Sequence, residues 1–72
     1  MKYNYAKLNG RIIECYGTQR NFAEAMGISS EAMSKKMNNK TFWRQQDIDK
    51  ACTLLEIAPI DIPAYFFVQE VQ

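Results

Sequence analysis

The sequence predicts a compact, all-α domain of five helices, the last one short. Three observations carry that prediction: apolar residues recur every three to four positions, glycines and prolines sit between the periodic runs, and Ser or Thr stands where helices would begin. With 72 residues the chain is expected to form a single domain spanning 1–72. Its composition, 47% hydrophobic and 24% charged, is that of a globular protein and argues against a disordered tail.

The first helix is marked by Leu8, Ile12 and Cys15/Tyr16, and Gly17 ends it. Gly10 lies inside it and costs about 1 kcal/mol of helix propensity relative to Ala, so packing has to hold this helix together. Thr18 is a good N-cap for a second helix, Gln19 to Met26, with Phe22, Ala23 and Met26 on one face. Gly27 stops it and Ile28 follows as an expected buried plug. Ser29 or Ser30 can cap a third helix that runs to about Met37, and Asn38-Asn39-Lys40 reads as its exit. After a loop containing Thr41-Phe42-Trp43, a fourth helix is expected near Gln46–Leu55. Asp47 and Asp49 then fall in its first turn, where the macrodipole favours negative charge, and Ile48, Ala51, Cys52 and Leu55 form its apolar stripe. Pro59 and Pro63 each suit the first position of a short helix. Tyr65-Phe66-Phe67 either docks on the body of the domain or meets another chain. The expected core is Leu8, Ile12, Phe22, Ala23, Met26, Ile28, Met33, Ile48, Cys52, Leu55 and Ile57.

Several function classes are disfavoured at this level. Histidine is absent, which removes the usual general base and commonest metal ligand. No nucleophile–base pairing and no glycine-rich phosphate loop is visible, so an enzyme is not expected, and neither is a cofactor or a metal. Cys15 and Cys52 both fall on apolar sides of helices and are expected as buried free thiols. No run approaches the roughly 18 apolar residues of a membrane span, and the N-terminus lacks the apolar core of a secretory signal. A cytoplasmic protein without membrane contact is the expectation.

Charge is unevenly distributed. Residues 1–46 hold eight of the nine Lys/Arg but three of the eight acids, a surplus of five cations; residues 47–72 hold Lys50 against five acids, a surplus of four anions. One face aimed at something anionic and scattered solubilising charge both fit that pattern.

The segment from Gln19 to Met37 is the most informative. Two short helices with about three residues between them must cross steeply. Ala23 is small at the closest approach and Gly27 permits the turn. Phe22, Met26, Ile28 and Met33 fill the angle between the helices. Small, glycine and apolar residues at these offsets are the signature of a helix-turn-helix, whose second helix enters the DNA major groove; an ordinary αα-corner is the alternative.

Gln19, Ala23, Gly27-Ile28-Ser29, Met33 and Ser34 resemble the pattern of the lambda-repressor/Cro superfamily. Lys36 departs from it, standing where many relatives are apolar, with Met37 taking the packing role. Beyond the motif, Tyr5-Ala6-Lys7-Leu8-Asn9-Gly10-Arg11-Ile12-Ile13-Glu14, Gly17-Thr18-Gln19, Asn21-Phe22-Ala23-Glu24-Ala25, Lys36-Met37-Asn38-Asn39-Lys40, Asp49-Lys50-Ala51-Cys52 and Ile62-Pro63-Ala64-Tyr65-Phe66-Phe67 are similar to small Cro-like proteins of temperate phages of Gram-positive bacteria. They resemble in particular the modulator-of-repression proteins of lactococcal phages. The resemblance implies a lambda-repressor-like fold and a role in the lysis–lysogeny switch, opposite or alongside a CI-type repressor.

If the domain reads DNA, its base-facing positions are Ser29, Ser30, Glu31, Ser34, Lys35 and Asn38, with Arg20, Lys36, Lys40, Arg44 and also Lys35 near phosphates. The serines double as cap candidates, and the lysines read equally as a solvated face. No Arg or Gln stands among the six readout positions, although those residues make the strongest base-discriminating pairs. Glu31 would set a negative charge against phosphate. The same surface suits a protein, with Met37 and Trp43 as candidate apolar contributors; of the adjacent rings Phe42 and Trp43, one is expected inside and the other at the surface. Two readings stand at this point. In one the chain binds the N-terminal DNA-binding domain of a CI-type repressor, as an antirepressor with weak or joint operator binding. In the other it is a free-standing Cro-like operator binder. A monomer is favoured, because no dimerisation strand or long extra helix follows the domain.

Overall fold

The structure, a computed structural model, describes residues 2–70. Its helices are α1 (Ala6–Tyr16), α2 (Gln19–Met26), α3 (Ser30–Met37), α4 (Gln45–Leu55) and α5 (Ile62–Phe66), with a 3₁₀ turn at Pro59–Asp61 before the last. Among the described residues the one strand-like feature is an antiparallel bridge between Tyr3 and Gln69. The five-helix, all-α expectation is therefore met.

Local chemistry sets the helix ends. Thr18 is extended and accepts from the Asn21 N–H, and Ser29 does the same for Ala32; each oxygen satisfies a donor left free in a first turn. Ser29 thus takes the capping role that the sequence left open between Ser29 and Ser30. Gly27 closes α2 at φ +77°, in the left-handed region. A Cβ there would meet nothing closer than Lys50 Nζ at 3.7 Å, so backbone conformation, and not crowding, calls for glycine. Lys50 Nζ also donates to Met26 O at 3.0 Å, and Arg11 Nε donates to Leu55 O at 3.0 Å. Each cation thereby covers carbonyls at a helix C-terminus. α4 starts one residue earlier than expected because the Asp47 carboxylate reaches back to the Arg44 N–H.

α1, α2 and α4 pack around one core, α3 leans on α2, and α5 closes against α1. The core comprises Leu8, Ile12, Phe22, Ala23, Met26, Met33, Ala51, Cys52, Leu55, Ile57 and Phe66. Ile28 and Ile48, expected inside, are half-buried and pack against its edge. Phe66 and Ala51 take the interior positions instead. The C-terminal run docks on the body of the domain: Phe66 is in the core, Tyr65 lies under Lys7 with Nζ 4.8 Å from its ring centre, and Phe67 meets Tyr3 edge-on. Asn39 fastens the other end of this seam. Its φ of +62° turns the chain out of α3, and its amide exchanges two 2.9 Å hydrogen bonds with the backbone of Tyr3.

Cys15 corrects an expectation. Tyr16, not Cys15, continues the Leu8–Ile12 stripe, stacking 5.3 Å from Phe22 and donating its hydroxyl to Leu54 O, which turns Cys15 to solvent. Cys52 is buried, and burial raises its thiol pKa. In the native protein, one thiol should therefore react with a disulfide reagent at the rate of a free cysteine, and the second only on unfolding. Two equally fast thiols would contradict this packing.

Candidate functional site

α3 buries one side and presents the other. Met33 is fully buried, while Ser30, Glu31, Ser34, Lys35 and Asn38 are all exposed. Their spacing of three or four residues stacks them along a single helical face. Within it, Lys35 Nζ lies 3.6 Å from Glu31 Oε1, and the Asn38 amide folds back to donate to Ser34 O at 2.7 Å and Ser34 Oγ at 3.2 Å. Both ends of the face are thus partly occupied by their own neighbours. A partner has to displace those contacts or add to them.

Arg20, Lys40 and Arg44 are exposed and, among the described residues, form no ion pair. Lys36 is different. Its side chain is only 13% exposed, with the ammonium 3.0 Å from Asp47 Oδ2, 3.2 Å from Phe42 O and 5.9 Å from the Trp43 ring centre. An ammonium in that position ties α3 to the start of α4. Burial alone would raise the Asp47 carboxyl pKa. The hydrogen bonds from Lys36 and the Arg44 N–H, with both positive charges, outweigh it and hold the pKa below the ordinary carboxylate value.

The two adjacent rings point in opposite directions. Trp43 turns inward, 5.1 Å from Phe66 and 6.3 Å from Tyr5, and its buried indole N–H has no acceptor among the described residues. Phe42 points outward and is 89% exposed. It shares an open groove with Thr41 and Arg44 on one wall and with Ser29, Glu31 and Lys35 on the other. Sequence reasoning named Met37 and Trp43 as candidate apolar contributors and left open which of Phe42 and Trp43 is exposed. Phe42 is the exposed ring, and Met37 and Trp43 are both half-buried against the core. Nothing local distinguishes the two rings; their fates depend on Phe66, more than twenty residues away.

Among the described residues no group of three or more His, Cys, Asp or Glu could hold a metal ion. No helix is long and apolar enough to cross a membrane. What the face offers is a polar helix with one ion pair, a neighbouring exposed aromatic ring and a rim of cations.

Fold and face together define a class, and residues 1–69 match a family described as "Protein of unknown function (DUF739)"; the chain belongs to that family. No curated protein matches it. Among solved structures, the chain is similar to the modulator of repression of the temperate bacteriophage TP901-1 from Lactococcus lactis. The two share 49% sequence identity and a TM-score of 0.85, over 100% of this chain and 97% of that one.

Proposed function

We propose that this chain is a regulator of the lysis–lysogeny switch of a temperate phage, working in the cytoplasm of the bacterial host as a single, monomeric helix-turn-helix domain. It binds the N-terminal DNA-binding domain of a CI-type repressor and touches operator DNA weakly or jointly with that repressor. The observation that carries this reading is the full-length likeness, at 49% identity, to a phage modulator of repression. The contact is made by the α3 face: Ser29, Ser30, Glu31, Ser34, Lys35 and Asn38, with Phe42 as the apolar anchor and Arg20, Lys40 and Arg44 at the rim.

Chemistry supports a protein over DNA as the main partner of that face. A repressor's DNA-binding surface is rich in Arg and Lys because it must neutralise phosphates. Glu31 is a liability against phosphate, but an Arg can grip its carboxylate in bidentate fashion. Phe42 supplies apolar area at about 25 cal/mol per Å² buried. A second reading, a free-standing Cro-like operator binder, draws on the three cations around α3 that form no ion pair among the described residues.

Calorimetric titration of the repressor's N-terminal domain tests the first reading. Glu31→Gln should weaken binding by about 1 kcal/mol and Glu31→Lys by about 2 kcal/mol or more, since like charges then meet. Equal binding by Glu31→Lys and the parent, with circular dichroism unchanged, would move the interface elsewhere. Nanomolar, sequence-selective operator binding by the protein alone would favour the second reading.

A further inference from the structure

A second surface shares no residue with the α3 groove. Along α4, Gln45, Ile48, Asp49, Cys52 and Thr53 form one wall of a shallow trough, and Ile57, Pro59, Ile62 and Phe67 form the other. The trough follows α4 over nine residues, about 12 Å or two helical turns at 1.5 Å per residue. Its floor is apolar, with Trp43 at one end. Ile60, 87% exposed, adjoins it beside Pro59, and Phe67 and Val68 are also exposed. Asp49 is the single charged residue of both walls and lies midway along the trough, lining both of its halves. Lys50, the only cation of residues 47–72, is held away at Met26 O.

We propose that this trough docks the apolar face of an amphipathic helix from a partner protein, about two turns long, with an Arg or Lys beside its apolar anchors to meet Asp49. Charge argues for that occupant. An acidic group set in an apolar channel, in the half of the chain with four surplus anions, repels nucleic acid and anionic segments and attracts a cation. A second copy of the chain is a poor occupant: a two-fold contact centred on the trough brings Asp49 towards its own copy. The surface is separate from α3, so the protein can hold two partners or two parts of one.

The test uses the full ¹⁵N-labelled chain and three synthetic peptides: an amphipathic helix with leucines at helical spacing and one central arginine, the same peptide with glutamate for arginine, and the same with serines for leucines. The arginine peptide should shift the amide signals of Ile48, Asp49, Cys52, Ile62 and Phe67. The glutamate peptide should bind about fivefold or more weakly, as loss of one ion pair implies, and the serine peptide not at all. Asp49→Lys, whose fold is checked by circular dichroism, should reverse the order of the first two. Equal binding of the charged peptides, shifts confined to Ser30–Asn38, no shifts, or sedimentation showing the trough filled by a second copy would each overturn the proposal. Glu31→Lys should leave the peptide titration unchanged, which keeps this test apart from that of the repressor contact.

Discussion

Phe66→Ala should remove about 3–5 kcal/mol of stability, the usual cost of emptying a buried aromatic site. Phe66 is 2% exposed and lies 5.1 Å from Trp43, so the deletion opens a cavity between α1, α5 and the start of α4. A domain of this length is stabilised by about 4–11 kcal/mol in all, so the variant should lose a large part of its folding free energy. Urea denaturation followed by circular dichroism measures the loss. Phe67→Ala, one residue on and half-exposed, should cost under about 1 kcal/mol. Similar midpoints for the two variants would mean that the C-terminal run rests on the domain without completing its core.

That contrast shows what the sequence discloses. Helix limits are written in local chemistry, and Thr18, Ser29 and Gly27 act on groups three or four residues away. Their effects can be read from the residues, and α2 and α3 begin and end where those residues imply. Core membership along a helix is also local as long as the stripe is unambiguous, as with Leu8, Ile12, Phe22 and Met26. It fails where two neighbours compete for one inward position. Cys15 loses to Tyr16, whose hydroxyl finds Leu54 O across the core, and Phe42 loses to Trp43, whose ring finds Phe66 and Tyr5. Both contests are settled by residues distant in sequence, which periodicity does not register.

The candidate face divides in the same way. Exposure of Ser30, Glu31, Ser34, Lys35 and Asn38 follows from the position of Met33 on a helix, and the structure keeps all five together on the surface. Lys36 reads from sequence as one more cation of that rim. Its commitment to Asp47 depends on where α4 begins, nine residues on, and Asp47 fixes that point itself by accepting from Arg44 N. The same carboxylate therefore sets the start of α4 and neutralises a half-buried lysine whose ammonium also donates to Phe42 O. Its removal should be felt at the α3 groove as well as in stability.

A double-mutant cycle on Lys36 and Asp47 should give a coupling of about 1–3 kcal/mol at pH 7, the range for a charge-assisted contact largely withdrawn from water. Asp47→Asn strands the ammonium, Lys36→Met strands the carboxylate, and the double variant removes both charges. It should accordingly be more stable than either single change suggests. Acid should erase the effect in a definite direction. The Asp47 pKa is lower folded than unfolded, so its contribution is fully present above the ordinary carboxylate pKa of about 4 and is lost as pH falls through the lower folded value. Between pH 5 and 7 the gap between the parent and Asp47→Asn should stay constant. Below about pH 4 it should close as the parent carboxyl takes up its proton. Urea midpoints measured across that range decide the matter. A gap that persists undiminished in acid would mean that Asp47 acts through packing and its bond to Arg44 N, with the ion pair to Lys36 contributing little.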